Sequence, residues 1–179
     1  MILDTRRLPI LETERLRLDP VTVGDGPAVF ALMDHPEVMA YWDGPPVHDP
    51  DVAAAMVQSQ VAVMAEGGGL YWVIRSLADR AVLGCCEIAE IDRRHKRGEA
   101  GFLLGRDAWG RGYALEAVQA LVAYAAASGL RKLSARTQLG DRRAETLLRR
   151  LGFCQEGLLR GHVLRDGERR DCHLFGLLL

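Results

Sequence analysis

At 179 residues, almost half of them hydrophobic and about a quarter charged, the chain is expected to fold as one domain over 1–179 around a single core. A net charge of −1 gives no basis for a nucleic-acid or membrane partner. No apolar run approaches the ~18 residues of a membrane span, and Asp4, Arg6 and Arg7 interrupt a signal-peptide reading, so a cytoplasmic location is expected.

The first element is a strand over 11–18, where Leu16 and Leu18 alternate with Arg15 and Arg17. Two helical segments follow, 22–34 and 49–66. Between them lies an irregular stretch, 36–50, punctuated by Gly44-Pro45-Pro46, and Gly67-Gly68-Gly69 ends the second helix. Strands are read at 70–76, 82–91 and 98–104, with turn chemistry at Ala78-Asp79-Arg80 and in the basic run 93–98. A helix over 111–128 carries Ala114, Leu115, Val118, Leu121, Val122 and Ala125 at helical spacing, and Gly129 stops it. Strand 131–137, helix 141–151 and two strands near 153–160 and 169–177 complete the chain. This order predicts an α/β (α+β) sandwich on one mixed sheet. Adjacent Cys85 and Cys86 point to opposite faces of their strand; neither the four cysteines nor the five scattered histidines have metal-ligand spacing, so no metal is expected.

Residues 104–116 are the most informative. A strand-like run leads through a short turn into Gly110-Arg111-Gly112 and then the amphipathic helix. Glycines at a helix mouth remove the Cβ atoms that would keep a ligand from the backbone N–H groups, and the helix dipole adds positive potential, so the segment suits an anion, above all phosphate. No Lys-Ser or Lys-Thr follows the glycines, which excludes a P-loop. Leu115 stands where a dinucleotide fingerprint needs its third glycine. By residue chemistry alone the segment is an anion cradle or a tight turn that binds nothing.

The run 107–112, Asp-Ala-Trp-Gly-Arg-Gly, resembles the acyl-CoA pyrophosphate loop of the GNAT superfamily of N-acetyltransferases, Gln/Arg-x-x-Gly-x-Gly/Ala, with Asp107 departing at the first position. The wider segment 109–117, the opening 11–18, the stretch 34–42, Leu148-Arg149-Arg150-Leu151-Gly152-Phe153 and the tail from Glu156-Gly157 to Asp166-Gly167 and Asp171 are similar to its RimJ/RimL-type branch. The resemblance implies a mixed, mostly antiparallel sheet whose central strands splay, with helices on both faces. It implies acetyl-CoA as cosubstrate. Pantetheine would lie along Phe102, Leu103 and Leu104, and the pyrophosphate on Trp109, Gly110, Arg111, Gly112, Tyr113 and Ala114. The family's Asn-x-x-Ser at the next helix is here Asp141-Arg142-Arg143-Ala144. Asp141 can cap that helix and is counted with the cofactor contacts, whereas Ala144 offers no proton.

Transfer to an amine calls for a base, and the candidates are Glu99, within Glu99-Ala100-Gly101-Phe102, and Glu87 and Glu90 on strand 82–91. Each could equally be a solvated carboxylate paired with nearby arginines. Glu116, one turn into its helix, is read as a buttress of the loop. Tyr41, Trp42 and Met39 are candidate lining of an acceptor groove, with Asp43 and Asp34 able to attract an amine. Arg142 and Arg149 could reach the adenosine end; the arginines of 93–97 are read as solvated. The expected activity is transfer of an acetyl group from acetyl-CoA to the primary amine of a small molecule or protein N-terminus, by direct attack in a ternary complex. A homodimer is compatible with it. A non-catalytic acyl-CoA-binding or interaction module is the alternative, favoured by Ala144.

Overall fold

Thr13 turns the chain inside what the alternation predicts to be one strand. Its hydroxyl accepts from the Leu16 N–H at 3.0 Å and donates to Glu116 at 2.6 Å. The segment therefore becomes a hairpin, β1 (Leu11–Glu12) against β2 (Leu16–Pro20), in the computed structural model, which describes residues 8–179. Asp4, Arg6 and Arg7 lie outside the described residues.

The helix expected over 22–34 begins as a 3₁₀ turn (Val23–Asp25) and is α-helical only as α1 (Gly26–Met33), with proline in its first turn, where the missing N–H costs no hydrogen bond. Helix α2 (Pro50–Glu66) has both terminal signals: Asp49 accepts from the Asp51 N–H at 2.9 Å, and Gly67 is left-handed at φ 79°. Strands β3 (Leu70–Ser76), β4 (Val82–Asp92) and β5 (Arg97–Leu104) form an antiparallel meander. Helix α3 (Tyr113–Ala127), strand β6 (Lys132–Gln138) and helix α4 (Arg142–Arg150) follow. The last two strands run longer than the composition suggests, β7 (Cys154–Arg165) and β8 (Glu168–Leu178). Asp166-Gly167 joins them with both residues at positive φ (53° and 81°), the two-residue turn that matches strand twist.

Among the described residues the eight strands make one sheet in the order β1-β2-β3-β4-β5-β6-β8-β7, antiparallel except where β5 meets β6. Helix α3 and Leu148 of α4 cover one face, over Leu16, Trp72, Ile88, Leu133 and Phe175. Helices α1 and α2 cover the other, over Val73, with Val29, Met33, Met39 and Val57. Side chains alternate between these layers along β4: Cys86 and Ile88 face α3, Cys85 faces α1 and α2. Glu87 belongs to the second face with Tyr71 and Gly101, its register partners.

The long β7 reaches back across the molecule. Arg165, 8% exposed, donates to the carbonyls of Met39, Ala40 and Trp42 at 2.6, 3.0 and 3.1 Å, and Gln138 Nε2 donates to Trp42 O at 2.8 Å. The irregular 34–49 stretch is thus fixed by the C-terminal hairpin. Arg165→Leu would strip three carbonyls of a charged donor. We expect a loss of about 2–4 kcal/mol in urea unfolding, with faster amide exchange confined to residues 38–43 at low denaturant.

Candidate active site

Strand β5 pairs with β4 from Glu99 to Leu104, but its parallel ladder with β6 covers only Arg97 to Glu99. Beyond Glu99 the two central strands part, while β6 continues to pair with β8 as far as Gln138. The opening is a cleft of about 540 Å³, lined on one side by Phe102, Leu103 and Leu104 and on the other by Asp141, Ala144 and Leu147. The free edge of β5 offers backbone donors and acceptors in the middle of a sheet, where none would ordinarily be left.

The glycine loop closes one end of this cleft. Trp109 Nε1 donates to Leu104 O at 2.8 Å, and the guanidinium groups of Arg143 and Arg106 lie 4.4 and 4.9 Å from its ring, so the indole ties strand, loop and α4 together. Gly110 (φ 74°) and Gly112 (φ 79°) are left-handed, and a Cβ on Gly110 would project into open space. Gly112 caps α3 without a side chain, and the first-turn N–H groups have no partner among the described residues. Glu116 braces the loop: its carboxylate receives the Arg15 guanidinium at 2.6 Å, and Arg15 also donates to Arg111 O at 2.9 Å. Those contacts hold its carboxyl below the usual range although burial pulls the other way.

Carboxylates gather where the strands part, on the α1–α2 face. Glu87 folds over Gly101, whose hypothetical Cβ would lie 2.9 Å from Glu87 Oε1, so a larger residue there would displace the carboxylate. Glu87 makes no hydrogen bond or ion pair with a described residue. Burial, then the charges of Glu99 and Asp43, push its carboxyl up to about 7. Glu99 differs: Arg136 Nε reaches its Oε1 at 2.7 Å, countering a burial that still leaves its pKa raised. Arg136 in turn contacts His162 of β7. Burial pushes the Cys85 thiol up to about 12, so it stays protonated and is no acyl carrier near neutrality.

The comparisons bear on this geometry. The model of the GNAT acetyltransferase domain matches residues 15–154. The chain belongs to the GNAT acetyltransferase family. It is 34% identical to the uncharacterized N-acetyltransferase p20 of Bacillus licheniformis, over 94% of this chain and 95% of that protein. It is 29% identical to the uncharacterized N-acetyltransferase YoaA of Bacillus subtilis (strain 168), over 95% and 97%. In fold it is similar to RimL, a ribosomal L7/L12 α-N-protein acetyltransferase solved with coenzyme A, with TM-score 0.86 at 18% identity over 96% of this chain and 98% of that one.

Within this GNAT fold the residues singled out from sequence fall into two groups. Phe102, Leu103, Leu104, Trp109, Gly110, Gly112, Tyr113, Ala114, Asp141, Tyr41 and Trp42 all line the cleft. Arg111 does not: its side chain is exposed, and Arg15 takes up its carbonyl. Asp141 accepts from the Ala144 N–H at 3.1 Å, a helix cap, and Ala144 presents only a methyl group. Glu90 leaves the strand at a bulge with φ 48°, its side chain 70% exposed, 3.7 Å from Arg136. Met39 is core at 1% exposure, not groove lining, and Asp34 pairs with His48. Arg149 is held by Glu145 and Gln155, away from the cleft that Arg142 lines. Arg143 and Arg150 also line it, and neither they nor Arg136 and Arg165 are singled out by the sequence. An arginine within a strand gives no sign of which partner it meets across a sheet.

A carboxyl raised in the fold is more stable protonated. Its contribution is present below its unfolded pKa of 4.5 and is lost as pH rises through about 7. Glu87→Gln should therefore be more stable than the wild type at pH 8 by up to about 3 kcal/mol and nearly equal to it at pH 4.5. Chemical unfolding at the two pH values measures the difference.

Proposed function

We propose that the protein is an N-acetyltransferase that uses acetyl-CoA to acetylate a primary amine by direct attack, with Glu87 as the general base. The observation that carries the reading is the position of Glu87: an unpaired carboxylate, poised near neutrality, beside the point where β5 and β6 part. Acetyl-CoA fits the residues present. Left-handed Gly110 and Gly112, uncapped N–H groups and the lining arginines Arg142, Arg143 and Arg150 suit a diphosphate and the adenosine end. The open edge at Phe102 to Leu104 suits amide groups that pair as an added strand would. Bound there, acetyl-CoA supplies a thioester whose C–S bond breaks as the amine nitrogen bonds to its carbonyl carbon.

The chain's own residues then have separable tasks. Glu87 takes the ammonium proton, directly or through a water, because an amine of pKa ~8–10 is mostly protonated at neutral pH and cannot attack. A β5 backbone N–H facing the gap is the available donor for the carbonyl oxygen. Ala144 gives the departing thiolate no hydrogen bond, and a thiol of pKa ~8.5 departs without one near neutrality. Arg136 keeps Glu99 ionised, and that charge keeps the Glu87 pKa high. Tyr41 and Trp42, fixed through the backbone of their loop, border the acceptor side.

Steady-state assays that follow thiol release from acetyl-CoA with a panel of amines test the reading. Glu87→Gln should lower kcat by about 10²–10⁴-fold and abolish the rise in rate through pH 7. Glu99→Gln should keep that rise but move it to lower pH, since the repelling charge is gone. Gly112→Val should weaken acetyl-CoA binding at least tenfold in calorimetry by straining the left-handed cap. Wild-type affinity in that variant would refute the loop assignment. Binding of acetyl-CoA without turnover on any amine would favour the non-catalytic module.

A further inference from the structure

Behind Glu87 lies a second, smaller cavity that the cofactor does not need. It has a volume of about 60 Å³ and shares Trp42, Phe102 and Leu103 with the large cleft, so the two spaces meet across β5 where the strands part. Its walls are apolar, chiefly Val29, Met33, Met56 and Tyr71. Among the described residues Glu87 is the only charged side chain lining it, and Gln60 is the other strongly polar one. Met56, 38% exposed, forms the outer wall. Met33 is 5% exposed and belongs to the core between α1 and β3.

A space of this size holds roughly four or five water-sized groups, taking ~10–15 Å³ for each. An amine that reaches Glu87 must place whatever is attached to its α-carbon either here or back toward solvent. The charged surroundings lie on the other side of Glu87. The neighbouring groove of about 300 Å³ is lined by Glu99, Arg136, Lys132, Glu156 and His162, and its charges are already paired, Arg136 with Glu99 and Lys132 with Glu156 at 2.7 Å each.

Resting on the acetyl-transfer reading above, we infer that this cavity is the acceptor's side-chain pocket, selecting a primary amine with a compact aliphatic substituent of about four heavy atoms. A second ammonium group, as in a polyamine, would be stripped of water among valine and methionine side chains with no carboxylate left to receive it, because Glu87 already serves the reacting amine. A glycine-type acceptor leaves the cavity unfilled and forfeits the apolar contact. The two methionines give the pocket walls that adapt to a linear or a branched substituent. A leucine- or methionine-like α-amine and a branched alkylamine share the required chemistry, and the substrate series separates them.

The test compares kcat/KM at saturating acetyl-CoA for glycinamide, leucinamide, methioninamide, phenylalaninamide, 3-methylbutylamine, spermidine and the side-chain amine of Nα-acetyl-lysinamide. Leucinamide or methioninamide is expected to exceed glycinamide by 10–200-fold and spermidine by more. A comparable rate with 3-methylbutylamine would assign the pocket to alkylamines; a much lower one would assign it to amino-acid α-amines. Met56→Trp should shrink the leucinamide-to-glycinamide ratio at least tenfold, and Met56→Ala should move the preference toward phenylalaninamide. Wild-type acetyl-CoA affinity by calorimetry certifies that each variant is folded. Equal rates for leucinamide and glycinamide, or a preference for spermidine or the lysine amine, overturn the pocket while leaving acetyl transfer standing. No turnover on any amine, with acetyl-CoA still bound, overturns both.

Discussion

The whole architecture turns on a ladder that stops. β5 and β6 are parallel neighbours for only three residue pairs, and beyond Glu99 each keeps its other partner, β4 or β8. Unpaired amides in the middle of a sheet cost several kcal/mol when buried dry, so the gap persists only because it is solvated or filled by something that hydrogen-bonds. The surrounding structure keeps it from closing. The 34–49 stretch carries Trp42 and Tyr41 to its rim, anchored from the far end of the sheet by Arg165 and Gln138. Trp109 caps the end of β5 through Leu104 O. A ligand that pairs with strands and ends in a phosphate is what such a gap and such a loop have in common.

Charge at the same place is arranged unequally. Burial raises the pKa of both Glu87 and Glu99, the charges of Glu99 and Asp43 raise that of Glu87 further, and the Arg136 guanidinium is placed against Glu99 and not Glu87. Had Arg136 bound Glu87, the carboxylate would sit ionised well below neutrality and be a weak base. The asymmetry leaves Glu87 as the carboxyl whose pKa lies near neutrality, at a cost in stability above that pH. Gly101 belongs to the same device, since any Cβ there would push the Glu87 carboxylate away.

The sequence disclosed those features whose causes are local. Gly110 and Gly112 open the mouth of α3, Gly129 stops it, and Asp141 caps α4; each is a short-range rule read within four residues. Periodicity placed α3 and α2 within two residues of their limits. It failed at 11–18, where a Thr13–Glu116 contact spanning 103 residues bends the strand. It failed again at Glu90, where the bulge that throws the side chain outward answers to strand pairing. Glu99 and Glu87 are not told apart by sequence. Both alternate correctly onto the same face, but the partner that separates them, Arg136, is 37 residues from Glu99 and on the far side of the parting strands. Met39, likewise, has the composition of a groove residue and the burial of a core one.

Backbone geometry is demanding at the glycine loop and the gap, and permissive at the cavity behind Glu87. The cofactor cleft is built from glycines, backbone edges and helix ends, and many side-chain sets can surround it. The cavity behind Glu87 is built from Val29, Met33, Met56 and Tyr71, residues on α1, α2 and β3 that tolerate exchange for other apolar side chains at ~1 kcal/mol when volume is conserved. Changing two of them alters the shape of that cavity without moving Glu87, the loop or the gap. Packing residues alone can thus reshape that cavity, which is why the glycine loop is legible from sequence and the cavity is not.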